Sequence, residues 1–507
     1  MSKHFHYDAV RYPSNVFAHF RPDHTGAMAA LHGVKPTRTA DCRTLELGCG
    51  DGASLLSIAY SMPQSHCVGI DLSEKRIAEA NAHAKAIGLS NIEFHHMDLM
   101  EFDMARFGKF DFMIAHGLFS WVPPFVRDRL LSIYKECLSP TGVGYISYNA
   151  YPGWYMGQIL RDAGRFILGD ESVTLEHADR AFEFLQLAAA TAKPGSVYEA
   201  VVKGELEKIA EKNREIFMHD ELSDFNQPFY ITDFISLIES VGLAYVAEAD
   251  PIMQFTAKLD PKTSSVLDAY LDTPARREQC LDFLRGTRFR STLICHAEAK
   301  PKYLPDDSAL DDLYFTTDSL ATTAGASLLD DSAVEFSTRS GSAFSTNFPL
   351  TKTFLGHLGD RLPHRVPFAD AVARLRDNFG HSEYFEEKLT IFRQHVTGLY
   401  HAEIVDGTYY EPDVADSVSE RPKASAFARW QMAIGFPFAT TPGGRNIQIE
   451  GDMPRWLLQQ MDGDQALSSL VGPLRSALAG QTASDADLHN IVTGCAERFC
   501  KLGFLVS

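Results

Sequence analysis

The stretch Thr44-Leu-Glu-Leu-Gly-Cys-Gly-Asp-Gly52 decides the fold, because it predicts an apolar strand that runs through a glycine loop into a helix. Leu45 and Leu47 supply the apolar face of the strand. The three glycines let the backbone turn sharply and approach a ligand closely. Glycines at this spacing also occur in ordinary turns, so the residues that follow must show whether the loop binds a ligand.

The residues after the loop repeat the alternation of helix and strand. A helix at 53–61 leads to an apolar strand at 67–70, and Asp71 follows about 20 residues beyond the glycines, as in nucleotide-binding folds. Further helices and strands are predicted at 74–87, 91–97, 110–115 and 143–147. This alternation predicts an α/β fold with a doubly wound, Rossmann-like parallel sheet that binds its ligand at the carboxyl ends of the strands.

The charges around the loop favour one class of cofactor. Asp71 can accept hydrogen bonds from both ribose hydroxyls, and Asp98, at the end of the third strand, can accept one from an adenine amino group. Asp51 stands where a dinucleotide would bring its pyrophosphate, which it would repel. A cationic sulfonium, S-adenosylmethionine, suits this loop, and Glu46 within the strand offers another acceptor.

Three motifs resemble those of class I S-adenosylmethionine-dependent methyltransferases: Glu46-Leu-Gly-Cys-Gly-Asp-Gly52, Gly69-Ile-Asp71 and Met97-Asp-Leu99. Two later segments, Ala115-His-Gly-Leu-Phe-Ser-Trp-Val-Pro123 and Ser147-Tyr-Asn-Ala-Tyr-Pro-Gly-Trp154, narrow the resemblance. They are similar to bacterial methyltransferases with a so-called regulatory domain, including the rickettsial protein-lysine methyltransferases that act on outer-membrane protein B. The resemblance implies a seven-stranded core, S-adenosyl-L-methionine as donor and S-adenosyl-L-homocysteine as product.

We therefore predict two sets of site residues. The cofactor set comprises Glu46, Gly48, Cys49, Gly50, Gly52, Asp71, Leu72, Ser73, Asp98, Leu99 and His116. The substrate channel is predicted from aromatic and polar residues near two strand ends and on an amino-terminal lid: Tyr7, Tyr12, Phe119, Trp121, Tyr148, Asn149, Tyr151 and Trp154. Any one of these aromatic residues can instead belong to the core.

His116 is the candidate catalytic residue, because it is the titratable residue that directly follows the fourth strand. It can accept a proton, contact the cofactor or hydrogen-bond its own loop. An Asn/Asp-Pro-Pro-aromatic motif is missing at this position, which argues against adenine, cytosine and glutamine-amide acceptors.

Composition narrows the partners and the location. The chain has 507 residues, 45% of them hydrophobic, which is enough for several cores. Its formal net charge of −19 argues against nucleic acid and suits a basic protein or peptide acceptor, although such a charge can also serve solubility alone. The sequence has neither a signal peptide nor an apolar run of the ~18 residues that a membrane helix needs, so we expect a cytoplasmic protein without membrane insertion.

The eight cysteines include no Cys-x-x-C pair and no Cys/His cluster at metal spacing, so neither disulfides nor a metal site is predicted. Cys49 and Cys67 are expected to pack as small apolar residues, and His95-His96 is interpreted as ordinary structure.

The chain is divided into three predicted domains. The methyltransferase domain spans 1–300 and contains a helical insertion at 154–224, which is either a cap over its own core or, as the resemblance implies, an element of a homodimer. An antiparallel strand at 290–296 closes its sheet, and residues 304–333 form a loose connection. Two smaller α+β domains with winged-helix character, 301–410 and 411–507, are expected to bind or present a protein.

The sequence thus supports a leading function and two alternatives. The leading hypothesis is a methyltransferase that acts on lysine side chains of a protein by direct in-line transfer. The first alternative is a small-molecule methyltransferase with the same cofactor site. The second is a regulatory protein that senses the cofactor without turnover.

Overall fold

Seven strands from the first 300 residues form one sheet in the computed structural model, which describes residues 10–37, 39–169, 174–254, 260–270, 272–339, 341, 343–382, 384–477 and 484–507. In chain order these strands are β1 (Arg43–Leu47), β2 (His66–Asp71), β3 (Ile92–His96), β4 (Phe110–Ala115), β5 (Leu138–Asn149), β6 (Leu243–Glu248) and β7 (Phe289–His296). Their spatial order is β3-β2-β1-β4-β5-β7-β6. Only β7 runs antiparallel to its neighbours β5 and β6, so the predicted parallel sheet with a final antiparallel strand is confirmed.

Helices connect these strands and cover both faces of the sheet. Those of the sheet region are α1 (Pro22–Leu31), α2 (Ala53–Ser61), α3 (Glu74–Ile87), α4 (Met104–Phe107) and α5 (Pro124–Cys137). The strands are buried on both sides: Phe112 and Ile114 of β4 belong to one hydrophobic cluster, and Met113 and Ala115 to another. The continuous apolar strands of the sequence follow from this double burial.

Two glycines are required because Phe94 of β3 packs against the turn that follows β1. A Cβ on Gly52 would lie 2.5 Å from the Phe94 ring, and the φ of Gly52 is +76°. A Cβ on Gly69 of β2 would overlap the same ring. Both positions therefore exclude any larger residue, which fixes the close contact of the glycine loop with the sheet.

Four helices follow β5 and form the insertion: α6 (Trp154–Leu168), α7 (Leu175–Thr191), α8 (Val197–Ala210) and α9 (Arg214–Asp220). The sequence periodicity predicts one apolar stripe on α6 from Ile159, Leu160, Phe166 and Ile167. Leu160 is buried, but the stripe is wrong as a whole, since Phe166 is 82% exposed and Ile159 is 37% exposed. The buried face instead carries Leu160, Gly164 and Leu168. A Cβ on Gly164 would lie 2.9 Å from Leu222, so a small residue marks this face where the sequence pattern pointed to large ones.

The chain returns to the sheet through α10 (Ile231–Ser240), and α11 (Pro261–Asp268) and α12 (Pro274–Arg285) lie between β6 and β7. The loose connection predicted at 304–333 is wrong in its first half. It contains β8 (Tyr314–Thr316) and β9 (Leu320–Ala321), and Leu310, Leu313 and Phe315 are fully buried. These three apolar side chains are part of the core, although the segment around them is mostly polar in composition.

The remaining chain forms short sheets and helices. The strands are β10 (Val334–Ser337), β11 (Ala343–Thr346), β12 (Val366–Pro367), β13 (Asp406–Thr408), β14 (Lys423–Ala424), β15 (Ala439–Thr440), β16 (Asn446–Ile447) and β17 (Leu505–Val506). The helices are α13 (Pro349–Asp360), α14 (Phe368–Phe379), α15 (Phe385–His401), α16 (Ala426–Ala433), α17 (Asp452–Gln460), α18 (Val471–Ala477) and α19 (Asp485–Leu502). β10 and β11 pair antiparallel, as the alternating pattern of residues 334–346 predicts for a hairpin.

The largest hydrophobic cluster continues from the sheet region into these later elements. It joins Leu55 and Ile58 of α2 with Phe315, Phe354 and Trp430, which come from β8, α13 and α16. A separate cluster fills the carboxyl-terminal part, where β14 pairs with β17. Within the described ranges, every helix falls short of the length and apolar character that a bilayer-spanning helix needs.

A buried ion network fastens β7 to β6 and α12. The Arg290 guanidinium is fully buried and lies 2.8 Å from Glu248, 3.1 Å from Glu278 and 2.9 Å from Asp282. Burial raises the pKa values of Glu248 and Asp282, against the pull of the arginine. The arginine is therefore needed to keep several buried carboxylates charged.

We expect Arg290→Ala to lower the free energy of unfolding by about 3–5 kcal/mol, because it leaves carboxylates buried without their counter-charge. Urea denaturation at neutral pH measures this loss. Arg374→Ala, on the exposed side of α14, is the matched control and should change stability by less than about 0.5 kcal/mol. A loss in the Arg290 variant no larger than that of the control would contradict the role of the network.

Candidate active site

A cavity of about 610 Å³ opens at the carboxyl ends of β1, β2, β3 and β4, the edge at which such sheets bind ligands. Many of the predicted site residues line it: Tyr12, Glu46, Gly48, Cys49, Gly50, Asp71, Leu72, Asp98, Leu99, His116 and Trp121. The structure thus brings the three sequence motifs and the residue after β4 to one place.

The glycine loop is tied to the end of β2 through Asp71. The Gly50 amide donates a 2.8 Å hydrogen bond to Oδ2 of Asp71, and the Ser73 amide donates one of 2.8 Å to Oδ1. A carboxylate has about four lone-pair positions, so these bonds orient the group and leave capacity for ligand hydroxyls. Asp71 is therefore held in place before any ligand arrives.

Glu46 is the most unusual charge of the cavity. It is 5% exposed, and its Oε2 has no hydrogen-bond partner among the described residues. Burial, together with the nearby charges of Asp71 and Asp51, raises its pKa to about 8. An acceptor of this kind, surrounded by other carboxylates, fits a cationic ligand group.

The part of the cavity around Asp98 is open to solvent and partly apolar. Asp98 is exposed and accepts a 2.9 Å hydrogen bond from the Met100 amide. Leu72 and Met100 are 43% and 44% exposed beside it, although both are apolar. A flat aromatic ring such as a purine fits between such side chains, with Asp98 as acceptor at its edge.

Two residues of the predicted cofactor set do not line the cavity. Gly52 lies behind the loop, where its lack of a side chain makes room for Phe94. Ser73 is fully buried and caps α3, since its hydroxyl accepts a hydrogen bond from the Arg76 amide. Both act on the site through the backbone that they shape.

His116 lies on the cavity wall at the end of β4. Its Nδ1 is 3.0 Å from the Tyr145 hydroxyl, and its ring centre is 4.3 Å from that of Phe17. Burial, with a smaller effect of His19, lowers the His116 pKa to about 3. The imidazole is therefore neutral at physiological pH, which makes it a hydrogen-bonding group and a poor proton acceptor.

The amino-terminal residues 10–17, which we call the strap, form another wall. Arg11 makes a 2.8 Å ion pair with Asp51 of the glycine loop, and the hydroxyl of Ser14 also bonds to Asp51. Tyr12 donates a 3.4 Å hydrogen bond to Asp220, where α9 ends. The strap thus bridges the glycine loop and the insertion.

Both ends of the strap are anchored to distant parts of the chain. His219 bonds to the carbonyl of Val10 at 3.0 Å, and Asn446 of β16 donates a 2.7 Å hydrogen bond to the carbonyl of Val16. Tyr7, which was predicted on the same lid, lies outside the described residues.

The structure places Phe119 and Tyr148 away from the cavity, contrary to the prediction. Both are fully buried on the other side of the loop, and Tyr148 stacks on Phe234 of α10 at 4.2 Å. Phe119 packs against Phe229 at 5.2 Å. A place near a strand end does not fix the direction of a side chain, and these two point to the core beneath α10.

Three more predicted channel residues, Asn149, Tyr151 and Trp154, have structural partners outside the cavity. Asn149 donates a 2.8 Å hydrogen bond to Asn226. Tyr151 stacks on Tyr155 at 4.1 Å, and Trp154 lies under the Arg288 guanidinium at 5.4 Å. The turn after β5 thus packs against the insertion and the start of β7.

The cavity has further apolar lining from residues outside the predicted set: Phe17, Phe20, Phe125, Met218, Leu222 and Phe225. Phe17 is the last residue of the strap and Phe20 follows it closely, so the predicted amino-terminal lid with Tyr12 was a usable signal for them. The residues from 218 to 225 lie about a hundred positions beyond β4, and the sequence carried no signal that they return to the cavity.

Arginines of α6 hold the segment that follows α9, residues 221–227, in place. Arg161 is 6% exposed and donates a 2.5 Å hydrogen bond to the carbonyl of Ser223. Arg165 donates one of 2.9 Å to the carbonyl of Leu222. The insertion therefore supplies both a wall of the cavity and the bonds that fix it.

Comparisons with known proteins agree with this geometry. The family model described as "Methyltransferase domain" matches residues 44–142, and that described as "Predicted methyltransferase regulatory domain" matches residues 213–296. Uncharacterized protein RP789 of Rickettsia prowazekii is 36% identical over 306 residues, which are 59% of this chain and 54% of that protein. The chain thus spans about half the length of this relative.

Among solved structures, PKMT2 from Rickettsia typhi in complex with AdoHcy covers 98% of this chain and 100% of its own, with a TM-score of 0.85 and 22% identity. A second structure of PKMT2 from Rickettsia typhi covers the same shares of the two chains with a TM-score of 0.84. At this identity the likeness shows a common fold over nearly the whole chain.

The region that matches the regulatory model includes α10, β6 and β7, so it completes the sheet whose other strands belong to the catalytic part. The chain therefore carries a methyltransferase domain and a methyltransferase regulatory domain, joined in one Rossmann-like methyltransferase fold.

Proposed function

We propose that the protein is an S-adenosylmethionine-dependent methyltransferase that methylates lysine side chains of a protein by direct in-line transfer. The observation that carries the proposal is the pair of Glu46 and Asp71 at the glycine loop. Asp71 is oriented by two backbone amides, and Glu46 is a buried acceptor whose Oε2 has no partner among the described residues. Asp71 suits ribose hydroxyls, and Glu46 suits a cation.

The remaining lining residues complete the fit to this cofactor. Asp98 would accept a hydrogen bond from the adenine amino group, and Leu72 and Leu99 would flank the adenine ring. Asp51, which forms an ion pair with Arg11 of the strap, disfavours the pyrophosphate of a dinucleotide. When bound, S-adenosylmethionine supplies a methyl group on a positively charged sulfur, which leaves as the neutral thioether of S-adenosylhomocysteine.

The wall near His116 supports an amine acceptor. Phe17, Trp121 and Phe125 line the same cavity as His116, and apolar surroundings disfavour the ammonium form of a lysine, which must lose its proton before it attacks. His116 is neutral and adds no charge that would repel the substrate. The chain thus excludes water and orients the amine, and proximity supplies most of the rate enhancement.

Two further observations favour a protein as the substrate. PKMT2, a name that denotes a protein-lysine methyltransferase, shares the fold over 98% of this chain, including the insertion and the carboxyl-terminal elements. The net charge of −19 attracts basic segments, in which lysines are frequent. Exposed apolar residues of α6, Phe166 above all, support the further proposal of a homodimer through the insertion.

Incubation with methyl-labelled S-adenosylmethionine and an extract of the cells of origin tests the proposal. We expect label in a protein band that survives alkali and yields methyl-lysine on hydrolysis. Asp71→Ala should abolish transfer, because it removes the oriented carboxylate. Asp103→Ala is the matched control, since Asp103 is an exposed helix cap outside the cavity.

Each other outcome contradicts a defined part of the proposal. Label in methyl-arginine would reject lysine as acceptor, and label confined to small molecules would reject a protein substrate. Cofactor binding without any transfer would leave a sensing protein as the better account.

A second prediction concerns the pH dependence of cofactor affinity. In the protein without cofactor, Glu46 has a pKa of about 8. Below that pH it is mostly protonated and must lose its proton to pair with a cation. Affinity for S-adenosylmethionine should therefore rise with pH up to about 8, by at most about tenfold per pH unit, and then level off.

Calorimetry at pH 6.5, 7.5 and 8.5 measures this change. Glu46→Gln cannot ionise, so its pH profile contains only the titration of the ligand and of the other groups. We expect the affinity ratio of wild type to variant to grow with pH. Parallel profiles would show that Glu46 does not pair with the cofactor.

A further inference from the structure

The Tyr145 hydroxyl joins side chains from three other parts of the chain. It lies 3.0 Å from Nδ1 of His116, 3.1 Å from Nε2 of His19 and 2.9 Å from Oγ of Ser291. Tyr145 belongs to β5 and is 1% exposed, so the junction is shielded from bulk water. His19 precedes α1, His116 follows β4 and Ser291 belongs to β7.

Counting protons at this junction determines which nitrogen of His116 carries its hydrogen. A phenol has one proton to donate and two lone pairs that accept. Tyr145 donates to Ser291, so it is left to accept from both histidines. The hydrogen of His116 then lies on Nδ1, and that of His19 on Nε2.

The proton count places the donated hydrogens, and the low pKa values of both imidazoles keep the rings neutral. Burial lowers the pKa of His19 to about 4 and that of His116 to about 3. A smaller part of the lowering comes from the charge of His24 at His19 and from the charge of His19 at His116. A neutral imidazole with its hydrogen on Nδ1 has a lone pair on Nε2.

The lone pair on Nε2 is available to a ligand. Nε2 of His116 makes no hydrogen bond within the part of the chain that the structure describes, while the residue lines the cavity. The ring is also fixed from behind, because Phe17 and Phe20 lie 4.3 and 5.3 Å from its centre. It cannot turn over without disturbing these contacts.

We propose that Tyr145 and His19 are positioning residues that hold His116 with its Nε2 as a hydrogen-bond acceptor, so that the site selects a neutral amine nucleophile with an N–H to donate. This inference rests on the proposed methyl transfer. A deprotonated lysine has two N–H groups and one lone pair. Donation of one N–H to Nε2 restricts rotation of the amine and leaves its lone pair free for attack.

The opposite tautomer would have the opposite effect. If Tyr145 donated to His116, the hydrogen of the imidazole would lie on Nε2 and would oppose the N–H of an amine. Such a site would favour an oxygen acceptor of the hydrogen bond. The direction of one hydrogen bond behind the cavity thus contributes to the choice of substrate class.

Nitrogen NMR of protein labelled with ¹⁵N-histidine reads the tautomer directly. In the wild type we expect protonated Nδ1 and unprotonated Nε2 for His116, with its signals assigned by their loss in His116→Gln. In Tyr145→Phe the partner of Nδ1 is gone, so we expect the Nε2–H form to appear. The turnover of lysine substrate should fall by about tenfold, the equivalent of one hydrogen bond, while cofactor affinity stays within about twofold.

Tyr134→Phe is the matched control. Tyr134 is a fully buried tyrosine of α5 that donates a 2.7 Å hydrogen bond to the backbone carbonyl of Tyr145, so its loss perturbs the same residue without changing the junction. We expect the His116 tautomer and the turnover of this variant to match those of the wild type. His19→Gln, which keeps an N–H donor, should retain more activity than His19→Leu.

Three results would overturn the inference. The first is a wild-type His116 protonated on Nε2, which is measured on the wild-type protein and uses the His116→Gln variant only to assign the signals. The second is an unchanged tautomer in Tyr145→Phe, and the third is equal turnover in Tyr145→Phe and Tyr134→Phe. Absence of methyl transfer by the wild type would reject the proposed function, whereas the tautomer would still be measured separately.

Discussion

The hydrogen bond from the Gly50 amide to Asp71 is the interaction on which the site depends. It ties the loop after β1 to the end of β2, and the Ser73 amide holds the same carboxylate from the other side. The loop can approach so closely because Gly52 and Gly69 leave room for Phe94 behind it. The core packing of one phenylalanine and the orientation of the ligand-binding carboxylate are thus parts of a single constraint.

Around this fixed centre, the cavity is assembled from distant segments. The strap reaches Asp51 from the amino terminus, residues 221–227 return from the insertion, and Asn446 fastens the strap at Val16. The regulatory region contributes β6 and β7 to the catalytic sheet, and Ser291 of β7 contacts Tyr145 directly. Changes in the insertion or in the carboxyl-terminal part therefore have short structural routes to the site.

The sequence predicted the features that are local in the chain. Asp71 ends β2, Asp98 lies two residues beyond β3 and His116 directly follows β4, so a correct strand assignment placed them at the cavity. The chemistry of the loop could also be predicted, because Glu46 and Asp51 are close neighbours of its glycines.

The features that failed depend on side-chain direction or on long-range contacts. Phe119 and Tyr148 lie near the correct strand ends but point into the core beneath α10. Phe166 has an apolar side chain on the exposed side of α6, where periodicity alone predicted burial. Tyr145 looks like an ordinary core residue within a strand, and only the structure shows two histidines at its hydroxyl.

The central claim is that acidic groups at a glycine loop select a sulfonium cofactor over a dinucleotide. Calorimetric titration of the wild-type protein with S-adenosylmethionine and, separately, with NAD⁺ at pH 8 tests it most directly. The account predicts one site for S-adenosylmethionine and no measurable binding of NAD⁺. Binding of NAD⁺ with equal or higher affinity, or no binding of S-adenosylmethionine, would contradict it.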